Sequence, residues 1–269
     1  MKRIGVVGCG AIGSEIAQAI ERDFSKLAKL SGLYDIDLGK AHRLASKLKK
    51  KNIVVLSLED LIKKSDFIVE AAASEVSAKI AHTVISHKRD CLIMSVGGLL
   101  SAPDIFDLAR KKGCSLYIPS GAICGIDGLK AHRLVNIKKV ILTTRKPPQA
   151  LKGSPYVIKN KINLDDIKEE TEIFAGSAQD AVSAFPQNIN VSATLSLAGI
   201  GQERTKVKII CTPYTFTNIH EIEIESDAGK TFIRCENNPS PDNPKTSYLA
   251  MVSAVAALKQ IFEPVKIGT

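Results

Sequence analysis

Six residues near the start of the chain have a spacing suited to holding a phosphate. They form a Gly-x-Gly-x-x-Gly segment that consists of Gly8, Cys9, Gly10, Ala11, Ile12 and Gly13. In a strand–turn–helix unit, the first glycine makes a tight turn, the second lets backbone N–H groups approach a pyrophosphate, and the third lets the helix pack on the strand. Glycines also take this spacing in turns that bind nothing, so the neighbouring sequence decides between the two interpretations.

That neighbouring sequence favours a dinucleotide. An apolar strand pattern at 3–7 precedes the glycines, a helical pattern at 11–22 follows them, and Asp35 ends the next strand pattern at about the spacing typical of dinucleotide sites. An acidic side chain there accepts hydrogen bonds from the adenosine ribose and repels a ribose phosphate, which favours NAD over NADP without excluding NADP. We therefore expect NAD or NADP as cofactor, bound by Gly8, Gly10, Ala11, Ile12, Gly13 and Asp35.

A second candidate for chemistry lies in the strand pattern at 217–225. Asn218, His220, Ile222 and Ile224 fall on one face of that strand, and Ile219, Glu221, Glu223 and Glu225 fall on the other. Burying Asn218 and His220 on an apolar face costs free energy unless they are paired, so an active cleft is favoured over a histidine that is merely satisfied in the core. A histidine suits proton transfer to or from a group that loses hydride.

Small residues follow three strand patterns of the first half. They lie at 72–74, which contains Ala72 and Ala73, at 95–98, which begins with Ser95, and at 120–125. Ligands of doubly wound sheets lie beyond the carboxyl ends of the strands, so these loops are expected to pass close to the cofactor, the third near the nicotinamide. Ordinary turn formation explains each loop about as well.

The helices and strands that must position these residues follow different patterns before and after residue 120. Up to residue 120, strand patterns at 3–7, 29–34, 53–56, 67–71, 91–96 and 115–118 alternate with helical patterns at 11–22, 38–50, 75–87 and 102–112, the last capped by Ser101 and closed by Gly113. Continuous apolar strands that alternate with helices predict an α/β fold with a Rossmann-type, doubly wound parallel sheet. We assign residues 1–120 to this dinucleotide-binding domain.

The second half predicts a smaller α+β domain with a mixed or antiparallel sheet. Strand patterns at 137–145, 206–211, 217–225 and 231–235 accompany helical patterns at 178–184 and 191–198, and residues 121–244 are assigned to this catalytic and dimerisation domain. The lysine- and proline-rich stretch 146–168 is expected to be an exposed excursion. The apolar helix at 247–262 is expected to be largely buried, with residues 245–269 packing back toward the first domain.

Composition narrows the class of protein. The 269 residues are 45% hydrophobic and 24% charged, as in ordinary globular chains, and there is neither a membrane-length apolar run nor a signal-peptide core, so we expect a cytoplasmic protein. The net charge of +9 favours a solvated lysine face over nucleic-acid binding, because the basic run at 47–51 has no interleaved aromatics. The six cysteines include no Cys-x-x-Cys pair, so no metal site is expected.

Several segments together resemble one family. The segments at 8–13, 117–123, 143–146, 185–195, 218–221 and 243–248 resemble the L-aspartate dehydrogenases of archaea and some bacteria. This resemblance spans nearly the whole chain. It implies oxidation of L-aspartate to iminoaspartate, which hydrolyses to oxaloacetate, with NAD or NADP, in the supply of NAD biosynthesis, by a homodimer.

The resemblance also implies roles for single residues. It implies a catalytic His220 assisted by Asn218, with Ala122 and the segment containing Asn188 and Asn190 near the cofactor. Polar groups at helix N-termini favour carboxylates, although capping explains them nearly as well. We expect the dicarboxylic substrate to contact Ser120, Lys245 and Thr246, with Arg145 as a competitor for a carboxylate.

Two other functions stay open. One is a small reductase of the homoserine dehydrogenase or dihydrodipicolinate reductase type, although the chain lacks the His-His-x-x-Lys segment of the latter. The other is an NAD-sensing protein without turnover, against which the polar pair Asn218 and His220 argues. Substrate screening separates the alternatives.

Overall fold

The chain folds into two compact units. A computed structural model describes residues 1–186, 189–241 and 246–268. The first unit contains Met1–Pro119 and Ser253–Ile267, and the second contains Ser120–Val252 and Gly268.

The first unit is built on a parallel sheet of five strands in the order β2-β1-β3-β4-β5. The strands are β1 (Lys2–Val7), β2 (Ala28–Tyr34), β3 (Phe67–Glu70), β4 (Asp90–Ile93) and β5 (Leu116–Tyr117). Apolar clusters cover both faces of this sheet, since Ile4 and Val6 pack on one side and Val7 and Ile68 on the other. The predicted Rossmann-type doubly wound architecture is confirmed.

One predicted strand of this unit, at 53–56, is wrong. Val54 forms only an isolated bridge with Leu33. Asn52, with φ of 59°, makes a turn just before this segment, and Ser57 caps a helix just after it. The turn and the cap limit the pairing of this segment with β2 to one position, which is an isolated bridge and not a strand.

The helices of the first unit are α1 (Ala11–Arg22), α2 (Leu38–Lys47), α3 (Leu58–Lys64), α4 (Ser74–Ser86) and α5 (Asp104–Lys112). Gly113 ends α5 in a left-handed conformation, as predicted. The predicted cap at Ser101 is wrong, because Ser101 ends a separate 3-10 helix and donates to the carbonyl of Gly98, and Pro103 occupies the N-cap position of α5.

The second unit is built on a mixed sheet of five strands in the order β10-β9-β6-β8-β7. The strands are β6 (Ile137–Lys146), β7 (Thr171–Ser177), β8 (Lys206–Cys211), β9 (Asn218–Ser226) and β10 (Gly229–Asn237). Only β6 and β8 are parallel, and the other neighbours are antiparallel. The predicted mixed sheet is confirmed, and β7 is an additional strand that the sequence patterns did not indicate.

This sheet has two unlike faces. On the covered face, which carries Val140 and Leu142 of β6, aliphatic side chains pack into the core of the second unit. On the opposite face, called here the open face, charged side chains form ion pairs such as Lys139 with Glu223. Alternating residues of one strand therefore lie in a core and in a charged surface.

The remaining helices are α6 (Ile126–His132), α7 (Pro148–Leu151), α8 (Pro155–Lys159), α9 (Ala178–Ala184), α10 (Ile189–Ala198) and α11 (Tyr248–Phe262). Within the part of the chain that the structure describes, no helix has the length and apolarity needed to cross a membrane.

Two expectations about packing are wrong. The stretch 146–168 is not an exposed excursion, because prolines begin the short helices α7 and α8 and Leu151, Val157 and Leu164 are buried in the core of the second unit. Helix α11 is not largely buried. Its fully buried residues, Met251, Ala254 and Leu258, form one stripe at helical spacing, and Tyr248 is 46% exposed.

Candidate active site

The turn between β1 and α1 needs glycine at two positions for packing. Gly8 has φ of +90°, and a Cβ there would lie 2.4 Å from the carbonyl oxygen of Ala71. A Cβ on Gly13 would lie 1.8 Å from the carbonyl oxygen of Gly8, whereas a Cβ on Gly10 would meet no protein atom within 4 Å. The fold therefore requires Gly8 and Gly13, and the space at Gly10 is open to a ligand.

The N-terminus of α1 is suited to an anion. Gly10 is the N-cap and provides no side-chain hydrogen bond, and the first turn contains no acidic residue. The backbone N–H groups of a first helical turn, which includes Ala11 and Ile12, point out of the helix and favour negative charge. These features fit the pyrophosphate of a dinucleotide.

Asp35 lies directly after β2 and is almost fully buried. One carboxylate oxygen accepts a hydrogen bond from the N–H of Cys9 at 2.7 Å, and the other accepts from the N–H of Asp37 at 2.9 Å. Asp35 thus joins the end of β2 to the glycine turn. Burial raises the pKa of the Cys9 thiol to about 12, so Cys9 is a neutral packing residue.

Glu70 is a site residue that the sequence analysis did not select. It ends β3, is 0% exposed, and accepts hydrogen bonds from the N–H groups of Ala72 at 2.7 Å and Ser95 at 3.0 Å. Ser95 Oγ in turn donates to the carbonyl of Ala72 at 2.9 Å. Burial raises the pKa of Glu70, and the two N–H donors oppose this rise.

Glu70 therefore holds two of the loops expected to pass near the cofactor. Ala73, beside Ala72, is exposed and precedes α4. The signal that identifies Glu70 from sequence is a carboxylate inside an otherwise apolar strand pattern, which needs hydrogen-bond donors when it is buried.

The structure confirms the predicted faces of β9. Asn218, His220, Ile222 and Ile224 are buried, whereas the glutamates that alternate with them are partly exposed. His220 Nδ1 forms a hydrogen bond of 3.0 Å with Thr144 Oγ1 on β6. Burial, assisted by the positive charge of Lys146, lowers the pKa of His220 to about 3, so its imidazole is neutral at physiological pH.

Lys146 is the second residue that the sequence analysis overlooked. It follows Thr144 by two positions on β6, faces the same side, and is 7% exposed. Burial lowers the pKa of Lys146 to about 8. The sequence does indicate that Lys146 faces inward, since it continues the alternating series of Val140, Leu142 and Thr144.

The expectation that Arg145 competes for a substrate carboxylate is wrong. Arg145 alternates with Lys146 and points to the open face, where it forms ion pairs with Glu221 at 3.0 Å and Glu170 at 3.5 Å. Its charge is therefore compensated on the face opposite His220.

Two further asparagine contacts lie beside His220. Asn218 Nδ2 donates to Ser247 Oγ at 3.5 Å, and Asn218 is the cross-strand partner of Asn237. Asn237 Nδ2 donates to the carbonyl of Ala122 at 2.9 Å. The loop that contains Ala122 is thus attached to β10.

The other predicted contact residues occupy varied positions. Ser120 and Thr246 are partly exposed, and Asn190 is exposed in the first turn of α10. Asn188 and Lys245 lie outside the described residues, and their assigned roles stay predictions. Among the residues that the structure describes, no group of three or more His, Cys, Asp or Glu side chains is placed to hold a metal ion.

The parallel sheet, the glycine turn and the uncapped N-terminus of α1 define the first unit as a dinucleotide-binding domain of the Rossmann type. Two family models match the chain, one in each half. The model for the NAD binding domain of homoserine dehydrogenase matches residues 8–119, and the model for the C-terminal part of aspartate dehydrogenase matches residues 127–261.

Full-length relatives narrow the class. The chain is 46% identical to the L-aspartate dehydrogenases of Methanocella arvoryzae and Methanosarcina acetivorans, and 41% identical to that of Nitrosopumilus maritimus. Each alignment covers 100% of both chains. The chain belongs to the L-aspartate dehydrogenase family, as the resemblance in its segments indicated.

Solved structures agree with this fold. An aspartate dehydrogenase from Thermotoga maritima matches with a TM-score of 0.74 and 24% identity over 100% of both chains. A homoserine dehydrogenase from Thiobacillus denitrificans matches with a TM-score of 0.61 and 15% identity, over 97% of this chain and 73% of the other. The alternative of a homoserine dehydrogenase-like reductase therefore shares the fold.

Proposed function

We propose that the protein oxidises L-aspartate to iminoaspartate with NAD or NADP as the hydride acceptor. The observation that carries this proposal is the 46% identity, over full length, to proteins named L-aspartate dehydrogenase. The buried polar cluster around His220 supports it, because Thr144 occupies Nδ1 of the neutral imidazole and Nε2 is left to face a substrate. The negative charge of a bound dicarboxylate raises the pKa of His220 from its low value in the free protein and so favours proton transfer to it.

The first unit holds the cofactor in this proposal. The amides at Gly10, Ala11 and Ile12 bind its pyrophosphate, Asp35 the adenosine ribose, and Ala72, Ala73 and Ser95 line its path. When bound, the nicotinamide supplies a hydride acceptor for the Cα hydrogen of the substrate. Ala122, Asn188 and Asn190 are further proposed contacts of the cofactor.

The second unit performs the proton transfer. His220 accepts a proton from the substrate amine through Nε2, because Nδ1 is bonded to Thr144. The amine nitrogen then forms a double bond to Cα as the hydride leaves, and water later hydrolyses the imine to oxaloacetate and ammonia. Asn218 orients the substrate, and Ser120, Lys245 and Thr246 are proposed to contact it.

The assembly and role of the protein belong to the same proposal. Residues 1–120 form the cofactor domain, 121–244 the substrate domain, and 245–269 a helical segment that packs toward the cofactor domain. Phe232 is 62% exposed on β10 and is available to a dimer interface, where aromatic side chains are enriched. We propose a cytoplasmic homodimer that supplies iminoaspartate to NAD biosynthesis.

A screen of L-amino acids with NAD and with NADP tests the proposed activity. Reduced nicotinamide is expected to form with L-aspartate and not with L-homoserine. Formation with homoserine alone supports the alternative reductase. Cofactor binding without turnover of any amino acid supports the NAD-sensing alternative.

A further inference from the structure

The polar residues of the covered face lie in two rows across the sheet. In the first row, His220 of β9 is the register partner of both Cys235 of β10 and Thr144 of β6. The second row begins with the partners Asn237 and Asn218, two positions further along each strand.

Lys146 extends this second row onto β6. The preceding residue, Arg145, is the register partner of Ile219, so the antiparallel register places Lys146 level with Asn218. Asn218, Asn237 and Lys146 are all at least nine-tenths buried. Within residues 1–186, 189–241 and 246–268, Lys146 is the one buried lysine or arginine.

The chemistry of the two rows differs. The first row contains the histidine that can accept a proton, whereas the second combines an ammonium group with two side-chain amides, which are donors that carboxylates accept from. Residues two apart on a strand are separated by about 7 Å along it. When the reacting carbon of a ligand lies at His220, a group further along the carbon chain of that ligand therefore lies at the second row.

We propose that Lys146, together with Asn218, binds the side-chain carboxylate of the amino-acid substrate and so selects a dicarboxylic substrate. This inference rests on the function proposed above, in which the substrate is L-aspartate. The ammonium group of Lys146 attracts the carboxylate by its charge, and the side-chain amide of Asn218 donates a hydrogen bond that orients the carboxylate.

The energetic reason for selection is the burial of the cation. A buried ammonium group discriminates against an analogue that lacks the matching carboxylate, because only the carboxylate forms a charge-assisted hydrogen bond with it in surroundings of low dielectric constant. Burial already lowers the pKa of Lys146 to about 8, and a bound carboxylate stabilises its charged form. L-Asparagine, which has an amide in place of the side-chain carboxylate, is the natural analogue for comparison.

The test compares Lys146→Met with the matched control Arg145→Met, which removes the neighbouring cation on the open face. We expect Lys146→Met to lower kcat/KM for L-aspartate about 100-fold, to leave the low value for L-asparagine unchanged, and to leave the Kd of NADH unchanged. Arg145→Met retains the preference for aspartate. Equal losses for both amino acids in Lys146→Met, or no loss, overturn the assignment.

A binding measurement separates this inference from the proposed activity. Succinate carries two carboxylates, whereas butyrate has a methyl group in place of one. Calorimetry on the NADH-loaded protein is expected to show that Lys146→Met weakens succinate and not butyrate, and that Lys146→Arg keeps part of the succinate affinity. This result supports Lys146 even where L-aspartate is not turned over, and an unchanged succinate affinity contradicts it. An unchanged circular dichroism spectrum verifies that the variants fold.

Discussion

Thr144 Oγ1 lies 3.0 Å from Nδ1 of His220, and the two residues are direct cross-strand partners on β6 and β9. When Nδ1–H donates to the threonine, Nε2 carries the lone pair that accepts a proton. In the proposed reaction Thr144 is thus a positioning residue, because it occupies Nδ1 and leaves Nε2 as the base.

Thr144→Val removes the hydroxyl and keeps the volume of the side chain. Loss of a buried hydrogen bond costs about 1–3 kcal/mol, which corresponds to a decrease of about 5- to 150-fold in kcat. The Kd of NADH should not change, and Thr144→Ser should restore much of the rate. Thr143→Val, on the open face of the same strand, is the control. Failure of serine to restore the rate argues that Thr144 acts through packing alone.

Gly10→Ala should weaken cofactor binding without disturbing the fold. The φ of Gly10 is −75°, and an added Cβ meets no protein atom within 4 Å, so the methyl group occupies only the space assigned to the pyrophosphate. We expect at least about a tenfold rise in the Kd of NADH and an unchanged Tm. Gly128→Ala, whose Cβ also meets nothing, should leave NADH binding unchanged. Unchanged affinity in Gly10→Ala places the pyrophosphate elsewhere.

Glu70→Gln should loosen two loops together. The carboxylate accepts from both Ala72 and Ser95, whereas a glutamine amide presents one acceptor and one donor, so one N–H group is left facing a donor. We expect an unfolding free energy lower by about 1–3 kcal/mol and a higher Kd of NADH. The exposed Glu59→Gln is the control. A stability loss with unaltered NADH affinity means that Glu70 does not act on the cofactor loops.

The proposed role of Lys146 predicts that kcat/KM for L-aspartate decreases as the pH rises. The free protein binds a carboxylate with protonated Lys146, so the kcat/KM for L-aspartate loses this contribution as pH rises through about 8. Lys146→Arg should remove that decrease, because arginine stays charged. The ratio of the two pH profiles cancels the titration of the substrate amine.

The other titratable groups beside Lys146 do not give the same decrease. His220 has a pKa of about 3, and burial raises the pKa of Cys211, the register partner of Lys146, and of Cys235. Glu221 lies on the open face, paired with Arg145. A decrease at about pH 8 that survives in Lys146→Arg assigns the effect to another group.

Local patterns were sufficient for part of this site. The period of two in β9 predicted that Asn218 and His220 face inward, and the glycine spacing predicted the turn before α1. Both features depend on residues close together in sequence, where backbone sterics and alternation decide the outcome.

The partners of those residues depend on sheet order, which local patterns do not contain. Thr144 and His220 are 76 residues apart, and they meet only because β9 lies between β6 and β10. Arg145 and Lys146 are adjacent, and the register of β6 decides which one joins His220. The exposure predicted for the stretch 146–168 is wrong for a related reason. Its lysines and prolines are typical of an exposed loop, whereas the apolar residues between them, Leu151, Val157 and Leu164, are buried in the core.

The most direct test of the proposed reaction is the fate of the Cα hydrogen. The protein is mixed with NAD, or with NADP, and L-aspartate that carries deuterium at Cα, and the reduced cofactor is examined by NMR. We predict deuterium at C4 of the nicotinamide, and its absence when His220 is replaced by alanine. Reduced cofactor without deuterium, or no reduction by L-aspartate with either cofactor, contradicts the account.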